Sequence, residues 1–99
     1  KIILYNPDLV DIIAKEYILP GADYYIGDGS SIRACLVRRQ REMICGHTKI
    51  SAQLEWCKKY GIQNIIFTHL GQDVLSRVDD FPELYPECTL AYDQMKIVI

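Results

Sequence analysis

The chain has 99 residues, of which 49% are hydrophobic, and a formal net charge of −2 at pH 7. This length fits one small domain spanning residues 1–99, and the weak net charge gives no general attraction to nucleic acid or to an anionic membrane. No stretch approaches the ~18 continuous apolar residues of a membrane span, and the N-terminus lacks the layout of a signal peptide. We therefore expect a cytoplasmic protein with no membrane partner.

The cysteines stand in four separate segments, at Cys35, Cys45, Cys57 and Cys88. No pair has the Cys-x-x-Cys spacing, which disfavours a structural zinc knuckle. Two disulfides are the alternative, but the regular helix and strand patterning favours reduced thiols inside a cytosolic domain.

The first half of the chain alternates short apolar runs with turn residues. The pattern predicts a strand over 1–5, a helix over 9–17 and a second strand over 22–26, which breaks at 27–29. The segment 30–45 has no clear periodicity and stays ambiguous.

The second half contains the best helix signal. Thr48 is a plausible N-cap, apolar residues follow at helical spacing, and Gly61 supplies the left-handed stop. We then predict three further elements, which are a strand over 64–68, a helical region over 73–84 interrupted by Pro82, and a terminal hairpin of 89–92 and 95–99.

This order of elements predicts an α/β fold. Asp8, Asp28 and His69 each come just past the predicted end of a strand, and His47 comes just before a helix. Because sites in open α/β sheets gather at the carboxyl ends of the strands, these residues are the candidate site residues.

Asp8 and His69 suit a metal site, since carboxylate and neutral imidazole are zinc ligands. By position alone, capping the helix predicted after it is the favoured role of Asp8, and a single histidine is often an ordinary polar residue. Two ligands are too few, because a catalytic zinc takes about three protein ligands and an open water position.

His47 and Asp28 form a second candidate pair. His47 precedes a helix, where the dipole disfavours the imidazolium, and a neighbouring carboxylate would orient the ring for proton transfer to a leaving group. Asp28 is also a typical turn residue. The only basic cluster (Arg33, Arg38, Arg39 and Arg41) suits phosphate binding or a solvated face.

Five segments follow one another in a recognisable order, and they are Tyr5-Asn6-Pro7-Asp8, Gly21-Ala22-Asp23 through Gly27-Asp28-Gly29-Ser30, Gly46-His47-Thr48, Phe67-Thr68-His69, and Ala91-Tyr92-Asp93-Gln94-Met95. This series resembles the C-terminal half of metallo-β-lactamase-fold hydrolases, and it is most similar to the ribonuclease Z-like branch.

The resemblance implies half of an αββα sandwich, with a mixed sheet, helices on one face and a C-terminal hairpin. It implies that Asp8 bridges two zinc ions, that His69 is the last metal ligand, and that His47 and Asp28 form a catalytic dyad. Asp28 replaces the family's usual glutamate, and Gln94 stands where a glycine commonly follows the aspartate of the last turn. The family's His-x-His-x-Asp-His signature is absent and belongs to the N-terminal half.

We therefore expect part of a zinc-dependent hydrolase, with a metal-activated hydroxide as nucleophile and a phosphodiester, RNA among them, as substrate. An ester, a thioester or a lactam is the alternative substrate. The chain alone is expected to be inactive, and its uncovered sheet face predicts a complementary N-terminal half, a second chain or self-association. The interpretation from a different class is a non-catalytic α/β interaction module, in which Asp8 caps a helix and His69 is structural.

Overall fold

A computed structural model describes residues 1–8, 11–33, 36–40 and 43–98, with the backbone alone for 36–40 and 43–46. Strands and helices alternate along the chain. The elements are β1 (Ile3–Tyr5), α1 (Lys15–Ile18), β2 (Tyr24–Asp28), β3 (Leu36–Gln40), β4 (Met43–His47), α2 (Ile50–Lys59), β5 (Asn64–Thr68), α3 (Gln72–Leu75), α4 (Phe81–Leu84) and β6 (Thr89–Leu90).

The main sheet has four parallel strands in the order β1-β2-β5-β6. In the centre of the sheet Tyr25 of β2 lies between Leu4 of β1 and Ile65 of β5. β3 and β4 form a separate antiparallel pair, in which Leu36 lies opposite His47. Because the strands of the main sheet are parallel, the loops that follow β1, β2 and β5 emerge at one edge.

Helix α2 covers one face of this sheet. Its buried residues Ile50, Leu54 and Cys57 belong to the same hydrophobic cluster as Tyr25 and Phe67. The rings of Tyr25 and Phe67 meet edge to face, with 6.5 Å between their centroids. Burying each large side chain of this kind stabilises the fold by about 1.5–3 kcal/mol, so the shared cluster holds α2 against β2 and β5.

The N-terminus of α2 is tied to the loop that follows β2. The N–H groups of Ile50 and Ser51 donate to the carbonyl oxygens of Ser31 and Ile32. The first N–H groups of a helix have no partner within the helix, so these carbonyl oxygens replace a side-chain cap. The loop after Asp28 is therefore held against the start of α2.

A carboxylate from α3 holds the same loop from another side. Asp73 Oδ2 accepts hydrogen bonds from the Ser31 hydroxyl and from the Ile32 N–H, at 3.0 and 2.9 Å. Two elements that are remote in sequence thus fix this loop, and neither contact follows from a local sequence pattern.

The α/β class predicted from the sequence is confirmed, and β1, β5 and α2 lie within or close to their predicted ranges. The N-cap of α2 is Lys49, one residue after the predicted Thr48, and it makes no side-chain cap. Strand β2 continues to Asp28 instead of breaking at Gly27, because β5 pairs with it along its full length.

The predicted mixed sheet and terminal hairpin are wrong. The described strands of the main sheet are all parallel, and β6 pairs with β5 instead of folding back on the last residues. A turn remains in which the Met95 N–H donates to the Tyr92 carbonyl oxygen. Gln94 has a φ of 64° there, a backbone conformation that favours glycine.

The helix predicted over 9–17 is wrong over 11–14, and residues 9 and 10 lie outside the described part of the chain. Asp11 accepts a hydrogen bond from the Ile12 N–H and forms an ion pair with Lys15, whose hydrogen bond lowers the pKa of Asp11. Ala14 has a φ of 61°, which no right-handed helix can contain. Helix α1 therefore begins only at Lys15.

Two other predicted regions differ from the structure. The region 73–84 forms two single-turn helices, α3 and α4. Pro82 stands in the first turn of α4, where the N–H of a residue has no partner within the helix. A proline is therefore accommodated at the start of a new helix here. The ambiguous segment 30–45 contains β3 and the start of β4, with residues 34, 35, 41 and 42 outside the described chain.

Two of the four cysteines have described side chains. Cys57 is buried and Cys88 half-buried, both are free thiols, and burial raises the pKa of each to about 12. Such thiols carry little thiolate at neutral pH and are inert. Cys35 and the side chain of Cys45 lie outside the described residues. In the described ranges no helix has the length and apolar character to cross a membrane.

Candidate metal centre

The four candidate side chains, which come from four separate segments, meet at the carboxyl edge of the main sheet. His47 Nδ1 lies 2.6 Å from Asp28 Oδ2 and 3.4 Å from Asp8 Oδ1. The rings of His47 and His69 meet edge to face, with 5.5 Å between their centroids. The four side chains therefore share one edge of the sheet, with His47 between Asp8, Asp28 and His69.

Asp28 is the only one of these residues with no exposed surface. Its Oδ1 accepts hydrogen bonds from the Ser30 N–H at 3.0 Å and from the Ser30 hydroxyl at 2.6 Å, while Oδ2 faces His47. A buried carboxylate is tolerated only with such partners. The bond to the N–H two residues on is the turn interaction expected of an aspartate, so Asp28 serves the turn and the site together.

Both histidines present the same nitrogen to an oxygen acceptor. His47 Nδ1 faces the Asp28 carboxylate, and His69 Nδ1 lies 3.1 Å from the Pro7 carbonyl oxygen. Because a carbonyl oxygen and an ionised carboxylate only accept, each Nδ1 carries the proton and each Nε2 keeps its lone pair in the neutral ring. Histidines that bind metals are held in this way, by a second oxygen on the far nitrogen.

His69 is exposed and its backbone has a φ of 58°. The left-handed region is unfavourable for a residue with a Cβ atom, and such strain persists where the surrounding structure imposes it. The strain therefore arises at the residue that carries one of the two candidate imidazoles.

Close contact between two loops imposes this conformation. The Gly29 N–H donates to the Thr68 carbonyl oxygen at 2.7 Å, and the Gly71 N–H donates to the Gly29 carbonyl oxygen at 2.9 Å. A Cβ atom at Gly71 would clash with the carbonyl oxygen of Ser30. The chain on both sides of His69 is thus packed directly against the loop that carries Asp28.

Asp28, His47 and His69 could together hold a metal ion. One ligand atom from each lies within 4.8 Å of the other two. Two imidazoles and one carboxylate suit zinc and the other first-row divalent metals. Asp8 is outside this group, but its carboxylate is 66% exposed and reaches His47, so it stands beside the group on the solvent side.

Three contributors to the site were not predicted from the sequence. Ser30 hydrogen-bonds Asp28 and lies 3.0 Å from His47, the Pro7 carbonyl oxygen orients His69, and Gln53 bonds the backbone of Asp28. Only Gln53 gave a signal, because it lies among the apolar positions of α2 (Ile50, Leu54 and Cys57), where a polar side chain needs a buried partner.

No protein-family model, no curated protein and no solved structure matches this chain. The chemistry of the site is therefore inferred from the residues themselves.

We expect His69→Gly to be more stable than His69→Ala by about 1 kcal/mol, because glycine adopts a positive φ without the Cβ penalty. Urea unfolding of the two variants measures the difference. The same pair at the exposed helical residue Glu55 is the control, and there alanine is expected to be the more stable. Equal stabilities of the two position-69 variants would contradict a strained backbone at this position.

Proposed function

We propose that this chain is part of a zinc-dependent hydrolase of the metallo-β-lactamase fold, to which it contributes the C-terminal half of the domain. The observation that carries the proposal is the meeting of Asp8, Asp28, His47 and His69 at one sheet edge. Two carboxylates and two imidazoles from four separate segments are the donor types that zinc takes in hydrolases.

Asp8 and His69 are proposed as metal ligands. His69 keeps Nε2 available because Nδ1 donates to Pro7, and the Asp8 carboxylate is largely exposed. Asp8 does not cap α1, which begins at Lys15 with Ala14 as its N-cap. When bound, zinc polarises a substrate oxygen and lowers the pKa of a bound water.

His47 and Asp28 are proposed as the dyad that protonates the leaving oxygen. The short bond between His47 Nδ1 and Asp28 fixes the ring and its tautomer, and the ring is 25% exposed, so it can meet a substrate. The competing role for both residues is as metal ligands together with His69. Metal content after removal of His47 separates the two roles.

Two arginines support a phosphodiester as the substrate. Arg33 and Arg77 line a cavity of about 530 Å³, together with Ser76, Tyr85 and Asp73, whose carboxylate bonds Ser31 and Ile32. Neither guanidinium lies within 4 Å of a carboxylate among the described residues, and Arg33 is on the same loop as Ser30. One guanidinium group can donate two parallel hydrogen bonds to the oxygens of a phosphate. RNA or another phosphodiester is therefore favoured over a neutral ester or lactam. Arg41 and the side chains of Arg38 and Arg39 lie outside the described residues.

The face of the sheet opposite α2 supports a complementary partner. The register places Ile3 beside Tyr24 and places Tyr5 beside Ile26 on this face, and Ile3 and Tyr5 are 42% and 65% exposed. All-parallel sheets are normally covered on both faces. We propose that the N-terminal half, in the same or a second chain, covers this face and supplies the remaining metal ligands. The exposed side chains of β1 on this face also favour the second candidate function, a non-catalytic interaction module.

Zinc titration of the chain separates these two functions. We expect His69→Ala and Asp8→Ala to weaken zinc binding by roughly tenfold or more, because each removes a proposed ligand. Competition with a chromophoric chelator measures the affinity. The control is Asp79→Ala, which removes an exposed carboxylate from a turn and should leave the affinity unchanged. Equal affinities in all four proteins would favour the interaction module.

Two substrates with different leaving groups test the dyad, in the assembly of this chain with its complementary half. We expect His47→Ala to retain its zinc and to lower turnover of a dinucleoside monophosphate by roughly 10²–10⁴-fold, because the departing alkoxide needs a proton. Turnover of bis(4-nitrophenyl) phosphate should change little, since 4-nitrophenolate leaves without a proton. Loss of zinc together with both activities would assign His47 as a metal ligand instead.

A further inference from the structure

Gln53 is the one fully buried side-chain amide among the described residues, and all its hydrogen-bonding groups are used. Its Oε1 accepts from the Tyr25 hydroxyl at 2.8 Å and from the Asp28 N–H at 2.9 Å. Its Nε2 donates to the Asp28 carbonyl oxygen at 2.8 Å and to the Lys49 carbonyl oxygen at 3.3 Å. One side chain of α2 thus binds both backbone groups of a site residue.

The amide of Gln53 bonds the part of β2 that extends beyond the end of β1. The carbonyl oxygen of Ile26 accepts the N–H of Asn6, the residue just after β1. Backbone groups two residues apart point to the same side of a strand, so those of Asp28 point to where β1 has already ended. A primary amide has the same donor and acceptor as a peptide group, and Gln53 supplies them there.

Gly27 makes room for this amide. A Cβ atom at position 27 would clash with Gln53 Oε1 and with the Tyr25 ring. The clash partners are fixed by burial and by four hydrogen bonds, so the amide has no free space into which to move. The absence of a Cβ atom at Gly27 therefore leaves the space that the Gln53 amide needs to reach the backbone of Asp28.

We propose that Gln53 is a positioning residue for the candidate metal centre. By fixing the backbone of Asp28 it sets the direction of the Asp28 carboxylate, and that carboxylate in turn holds the His47 ring. The consequence for proton transfer by the dyad rests on the proposed function, whereas the effect on His47 is a property of the metal-free protein.

Gln53→Met tests the proposal, because methionine has a similar length and no amide. In the metal-free chain we expect the downfield proton resonance of the His47 Nδ1–H, which the 2.6 Å bond to Asp28 produces, to disappear or move upfield. In the assembly with the complementary half, turnover of a dinucleoside monophosphate should fall by roughly tenfold or more with the zinc content unchanged, because Gln53 acts on the proposed dyad and not on Asp8 or His69. Circular dichroism and cooperative urea unfolding establish that the variant is folded.

Gly27→Ala provides a second route to the same effect, since it displaces the amide and leaves Gln53 itself unchanged. Tyr25→Phe is the matched structural control, because it removes one bond to Gln53 and neither bond to Asp28. We expect it to lower the stability, to leave the His47 resonance at its wild-type position and to keep turnover of the dinucleoside monophosphate within about twofold of wild type. The exposed Gln63→Met controls for the substitution.

A folded Gln53→Met or Gly27→Ala with an unchanged His47 resonance would overturn the proposal. A wild-type chain that does not bind zinc, but whose His47 resonance is lost in Gln53→Met, would overturn the proposed function and leave the positioning role in place. Loss of the resonance in Tyr25→Phe to the same extent would also overturn the proposal, since the effect would then be one of general stability.

Discussion

The buried Asp28 carboxylate and its hydrogen bonds to Ser30 and His47 hold the candidate centre together. Without partners a charge in this position would be strongly unfavourable, so the surrounding chain is arranged to supply them. The Ser30 N–H and hydroxyl bind one oxygen and His47 the other, while Gln53 fixes the backbone from beneath. The direction in which His47 points follows from this set of bonds.

The remaining parts of the site are arranged around that bond. Parallel strands bring the loops after β1, β2 and β5 to one edge, and the glycines at 29 and 71 allow the last two loops to touch. The same contact imposes a left-handed backbone on His69. Two carboxylates, from Asp8 and Asp28, then lie within 3.4 Å of a single ring nitrogen of His47, and this concentration of negative charge favours a cation.

Sequence patterns predicted the α/β class and named residues that share one sheet edge, but they misplaced several elements. Asp8, Asp28 and His69 were found because residues that follow parallel strands share an edge, whatever the exact ends of the strands. The helix over 9–17 and the terminal hairpin were wrong because Ala14 adopts a positive φ and because β6 pairs with a strand some twenty residues earlier. Ser30 and Gln53 were missed because their roles depend on tertiary hydrogen bonds that no local period records.

The structure brings two carboxylates and two imidazoles from remote segments to one sheet edge, where we propose that Asp8 and His69 bind zinc beside the His47–Asp28 pair. A crystal of the chain grown with zinc, with diffraction recorded at the zinc absorption edge, tests it most directly. The account predicts an anomalous peak about 2.0–2.1 Å from the Nε2 atom of His69, beside a His47 ring that is still bonded to Asp28. A map with no peak at this edge of the sheet, and with the two rings turned away from each other, would contradict it.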